Sequence, residues 1–75
     1  MAKLPSIHAR DALKAFERLG WIHRRTTASH WIMSKNGQMR ALSVPYHDPI
    51  AKGTLRGLIR GAGLTVDEFV AALSQ

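Results

Sequence analysis

The chain has 75 residues, no cysteine and a formal net charge of +6 at pH 7. That length supports one small domain spanning residues 1–75 and argues against a deep substrate cavity, while the lack of thiols excludes disulfides and thiolate metal sites. The charge is also uneven: eight Lys/Arg residues fall between Arg18 and Arg60 against Asp48 as the sole acid, a surface suited to a polyanion such as nucleic acid or an acidic protein.

No apolar run is long enough to span a membrane, and Met1 to Ser6 is not followed by a signal-peptide core, so a cytoplasmic protein is expected. Ser6 is placed to cap a helix from Ile7 to about Leu19, where Ala12, Phe16 and Leu19 recur at helical spacing and Arg10, Lys14 and Arg18 take another face. Gly20 stops it.

Trp21 to Thr26 reads as a strand, Thr26 to Ser29 as a polar loop and His30 to Ser34 as a second strand. Asn36-Gly37 is the strongest hairpin signal in the chain, because both residues tolerate the positive φ of a type I′ turn, and a third strand follows from Met39 to Val44. A two-residue turn sets Ile32 opposite Ala41, Trp31 opposite Leu42 and His30 opposite Ser43. Trp31, Met33, Leu42 and Val44 then form the inner face, and His30 points to solvent with Arg25 opposite it. Strand parity also offers His23 to that free face.

Pro45 ends the third strand, and Tyr46 to Lys52 reads as a loop punctuated by Pro49. Gly53 or Thr54 is placed to cap a second helix from Leu55 to about Ala62, closed by Gly63. Gly57 lowers its propensity, so packing must hold it. Thr65 to Glu68 has capping-box spacing before Val66, Phe69, Val70 and Leu73. The expected fold is therefore α+β, in the order α-β-β-β-α-α, with a three-stranded antiparallel sheet covered by helices on one face.

Of the four histidines, His8 in the first helical turn reads as a surface residue and His23 as an auxiliary contact. His30 draws several features together: it starts a strand beside a polar loop, faces solvent, and has Arg24, Arg25 and Arg40 expected nearby. RNA cleavage needs a base for the 2′-hydroxyl proton, an acid for the leaving oxygen and cations for the developing phosphorane charge. On composition alone, however, a structural or surface histidine is the first reading of His30. His47, just past the third strand, suits a phosphate contact or simple loop capping. Neither the histidines nor the five carboxylates show metal-ligand spacing, so no metal or cofactor is expected. Ser29-His30 is not read as part of a hydrolase triad, because adjacent strand residues point to opposite faces.

These residues resemble the HicA family of small mRNA-interferase toxins across almost the whole chain. Gly20-Trp21, Arg25 and Ala28-Ser29-His30 are similar to the family's Gly-Trp, Arg, Gly-Ser-His progression. Val44-Pro45-Tyr46-His47 resembles its Val-Pro-x-His segment, and Gly53-Thr54-Leu55-Arg56 with Ile59 and Ala62-Gly63-Leu64 resembles its Gly-Thr-Leu-Arg to Ala-Gly-Leu run. Ala28 stands where the family has glycine and Trp31 where it commonly has a second histidine. The resemblance implies a double-stranded-RNA-binding-domain-like fold, a metal-independent endoribonuclease that cleaves mRNA, His30 as the catalytic histidine, and a HicB antitoxin as partner. RNA would lie across the exposed sheet face, contacted by Arg24, Arg25, Ser29, Arg40, His47 and Lys52. The alternatives are a noncatalytic RNA-binding module of the same fold, or a basic protein whose partner is an acidic regulatory protein.

Overall fold

A computed structural model describes residues 3–75. Met1 and Ala2, where both the 1–75 domain span and the Met1–Ser6 leader reading begin, lie outside the described residues. The elements are α1 (Ala9–Arg18), β1 (Ile22–Thr26), β2 (His30–Ser34), β3 (Leu42–Pro45), α2 (Lys52–Gly61) and α3 (Val66–Leu73). The strands form an antiparallel sheet in the order β1-β2-β3. This is the expected α+β layout.

The core lies between one face of the sheet and the helices. Met33, Leu42 and Val44 point into it from β2 and β3, meeting Ala12, Phe16, Leu55, Ile59 and Phe69. Phe16 of α1 and Phe69 of α3 hold their rings 5.0 Å apart at a tilt of 52°, a favourable aromatic arrangement. Trp21, expected to open the first strand, instead precedes β1 and is buried. Its indole Nε1 has no hydrogen-bond partner among the described residues.

The inner-face assignment holds, but the register does not. Met33 pairs with Leu42, Trp31 with Val44, Ile32 with Ser43 and His30 with Pro45, two residues away from the expected pairing. Gly37 has φ +84° while none of the described residues other than glycine has positive φ, so the type I′ turn that needs two such residues does not form. Gln38 N donates to Lys35 O at 3.0 Å, and the single positive φ is the pattern of a type II turn. β3 accordingly starts at Leu42 rather than Met39. A two-residue slip leaves every side chain on its own face, so hydrophobic alternation cannot detect it.

In β1, an irregularity between His23 and Arg25 makes Arg24 a bulge and reverses the facing of the residues before it. Arg25 pairs with Ile32, not His30, because Thr27 closes the hairpin against His30 (Thr27 N to His30 O, 2.8 Å). The loop is thus two residues shorter than expected.

The helix starts also differ. α1 begins at Ala9, and Ser6 does not cap it. The N-cap His8 makes no side-chain cap bond, and Asp48, 39 residues away, accepts the Ala9 N–H at 2.7 Å. α2 begins at Lys52 after Ala51, so Gly53 and Thr54 lie inside the helix instead of capping it. Gly20 at φ +98° ends α1 as expected, with Trp21 N donating back to Phe16 O. The Thr65/Glu68 capping box of α3 is complete.

Candidate functional site

The helices cover one face of the sheet and leave the other open. His30, Ile32 and Ser34 of β2, Ser43 of β3 and Arg25 of β1 lie on that open face by strand alternation and cross-strand pairing.

His30 is held by its own hairpin. Its N–H donates to Thr27 Oγ1 at 3.0 Å and its carbonyl accepts from Thr27 N at 2.8 Å. On the other side Tyr46 N donates to Ser29 O at 3.0 Å, extending the β2–β3 ladder past His30. The imidazole is anchored as well: Ser29 Oγ lies 2.8 Å from His30 Nδ1. This corrects the expectation that Ser29 and His30 point apart. Ser29 belongs to the connecting loop, where strand alternation does not apply. His30 Nε2 makes no hydrogen bond among the described residues.

A hydroxyl on Nδ1 has a chemical consequence. It donates to a bare Nδ1 and accepts from a protonated one, so it orients the ring without fixing a tautomer. A carboxylate in that place would only accept. The outward Nε2 is therefore able to act as proton acceptor or proton donor.

The predicted cations do not gather around His30. Arg25 is diagonal to it across β1 and β2 on the open face, a separation of roughly 7–8 Å in an antiparallel pair. Arg24 extends along the sheet, its Nε donating to Ser34 Oγ at 2.7 Å. Arg40 lies in the β2–β3 connection, at the opposite end of β2 from His30, so it is not a neighbour of that histidine. Lys35 in the same connection gives its Nζ to Leu19 O at 3.0 Å, at the end of α1. Lys52 is exposed at the start of α2.

His47 is exposed on the segment joining β3 to α2. Three bonds fix this segment: Tyr46 N to Ser29 O, Ala9 N to Asp48 Oδ1, and Ile50 N to Ile7 O at 2.9 Å. His8 Nδ1 adds a 3.6 Å approach to Asp48 Oδ1. An open cleft of about 410 Å³ lies here, lined by Pro45, His47, Pro49, Ala51 and Thr54.

His23 is not on the free face. The Arg24 bulge pairs it with Met33, and its ring stands 6.4 Å from Trp31, which in turn meets Tyr46 edge-on at 4.4 Å. His23 Nε2 is engaged with Thr26 Oγ1 at 3.0 Å. Ala28 takes no positive φ, so this loop does not require a glycine there.

Sequence reasoning missed Thr27 and Asp48. Thr27 sits three residues before His30, the spacing at which a threonine hydroxyl accepts a backbone N–H. Asp48 had one available signal, as the only acid in a long basic stretch. Among the described residues, no three His, Asp or Glu side chains converge as a metal site, and no helix is long and apolar enough to cross a membrane.

A family model described as HicA toxin of bacterial toxin-antitoxin matches residues 9–64, more than half of the chain. The matched span runs from the start of α1 to the residues just after α2 and includes Ser29, His30 and the His47 segment. No curated protein matches the chain.

Proposed function

We infer the function from this premise: the chain belongs to the HicA toxins of bacterial toxin-antitoxin systems. The activity is endonucleolytic cleavage of mRNA without a metal ion, and the catalytic residue is His30. The observation that carries this reading is the single imidazole on the uncovered sheet face, oriented through Nδ1 by Ser29 Oγ at 2.8 Å and carrying a free Nε2.

In the forward step the 2′-hydroxyl of the RNA attacks the adjacent phosphorus and the bond to the 5′-oxygen breaks. The 2′-hydroxyl gives up its proton and the leaving 5′-oxygen gains one. His30 Nε2 serves one of these transfers, and Ser29 keeps it aimed in either protonation state. Arg25 holds the charge that builds on the phosphorane oxygens. Arg24, Arg40 and Lys52 contact the RNA backbone outside the reacting phosphate. The protein works in the cytoplasm and is neutralised by a HicB antitoxin that occludes the open face.

The test is incubation of the purified chain with end-labelled mRNA in EDTA, beside His30→Ala. Cleavage that resists EDTA and disappears in the variant, with an unchanged melting temperature, is the expected result. RNA bound by both proteins and cut by neither would assign the fold to a noncatalytic binding module.

A further inference from the structure

We propose that the cleft between the end of β3 and the start of α2 is a nucleobase pocket, which seats a base beside the scissile phosphate and sets the sequence preference of cleavage. The proposal rests on the ribonuclease reading above. Its first support is position, since Pro45, which lines the cleft, is the cross-strand partner of His30. An RNA strand that runs from His30 across the end of β3 would bring a neighbouring base to this opening.

The second support is composition. Pro49 and Ala51 supply exposed apolar surface beside the buried Pro45, and the polar groups are the His47 ring and the Thr54 hydroxyl. Neither of those two side chains makes a hydrogen bond among the described residues. No Lys or Arg lines the cleft. A phosphate subsite needs cations, whereas a base needs an apolar wall for its face and a few donors and acceptors for its edge. The lining fits the base. A volume of about 410 Å³ also falls within the range of small-ligand sites.

The third support is rigidity. The cleft wall is tied to the start of β2 through Tyr46 N to Ser29 O, to the first residue of α1 through Asp48, and to Ile7, just before α1, through Ile50. Pro45 and Pro49 add two fixed φ angles. A pocket held this way discriminates between bases because little ordering remains to be done on binding. Thr54 can donate or accept and His47 can do the same, so together they can read one base edge.

The experiment uses two readouts. The full-length His30→Ala chain is titrated with each of the four nucleoside 3′-monophosphates and with ribose 5-phosphate, following backbone amide signals by NMR. Saturable shifts at His47, Ala51 and Thr54 that are at least about tenfold weaker for ribose 5-phosphate are expected, from the stacking contribution of one base. In parallel, fragment ends from a randomised RNA are mapped for the native chain, Thr54→Val and His47→Gln. Loss of one hydrogen bond should flatten the preference by roughly threefold to tenfold. Identical shifts with ribose 5-phosphate, together with unchanged fragment ends, would overturn the pocket. Base-dependent shifts in a chain that cleaves no RNA would uphold the cleft as a base site and sink the ribonuclease reading instead.

Discussion

Replacing Asp48 with alanine should destabilise the protein from a position far in sequence from the helix it affects. In the native chain the N-cap residue of α1 offers no side-chain bond, and Asp48 Oδ1 accepts the Ala9 N–H at 2.7 Å in its place. Losing an N-cap acceptor costs about 0.5–2 kcal/mol. Losing a carboxylate at a helix N-terminus adds about 0.3–1 kcal/mol. The sum is about 1–3 kcal/mol, which for a domain of this size lowers Tm by roughly 4–24 °C. Asp48→Asn keeps an oxygen acceptor and removes only the charge, so its loss should stay near the smaller contribution, about 0.3–1 kcal/mol. Ser6→Ala, at the residue that local sequence nominates as the cap, should change stability by less than about 0.5 kcal/mol. Thermal unfolding by circular dichroism, with amide exchange across α1, measures all three. An effect of Ser6→Ala as large as that of Asp48→Ala would refute the long-range cap.

Three further outcomes follow from the same structure. Ser29→Ala removes a hydroxyl whose one hydrogen-bond partner among the described residues is His30 Nδ1; single-turnover cleavage should fall about fivefold to tenfold, since water can replace an exposed partner and one hydrogen bond contributes about 1 kcal/mol, with Tm unchanged. A rate within experimental error of native would show that the hydroxyl does not orient the ring. Met33→Ala empties a fully buried site in the middle of the sheet at a cost of about 2–5 kcal/mol, so a urea midpoint shifted by less than a tenth of its native value would contradict the packing. Arg25→Ala should lower the cleavage rate about threefold to thirtyfold, the effect of removing one cation from beside the reacting phosphate. Arg40→Ala, beyond a Debye length at about 0.1 M salt, should weaken RNA binding and its salt dependence while sparing the rate; equal rate losses in the two variants would mean that the open face does not order the RNA in this way.

Local patterns predicted what local physics controls. The Thr65/Glu68 capping box and the Gly20 stop were legible because each involves neighbours in sequence. The core face of the sheet was legible because alternation places Trp31 and Met33 with Leu42 and Val44. Register was not, since moving the β2–β3 pairing by two residues preserves that alternation, and only the backbone at Asn36 decides between turn types. The Arg24 bulge likewise has no signature in residue type, yet it turns His23 to the helix side and lets Arg24 reach Ser34. At the site, the sequence nominates His30 as a strand-start histidine beside a polar loop, and its catalytic role is a proposal. The Ser29 contact is not legible in strand alternation, because Ser29 lies in the loop before β2.

Asp48 also explains how a stretch rich in Lys and Arg can carry an acid and still present a positive face. The carboxylate is directed to the N-terminus of α1 rather than toward the sheet, where the helix dipole favours a negative charge. None of the five acids lies on the open face, because Asp11 and Glu17 belong to α1, and Asp67 and Glu68 to α3. On the proposed reading, an RNA laid across the open face meets no anion from the protein. The same contact fixes the segment between β3 and α2, so the cleft beside His30 depends on the docking of α1 as well as on its own residues. Stability and recognition are thereby coupled: a variant that loosens α1 at Ala9 should blur base preference before it abolishes cleavage, since His30 is held separately by Thr27 and Ser29.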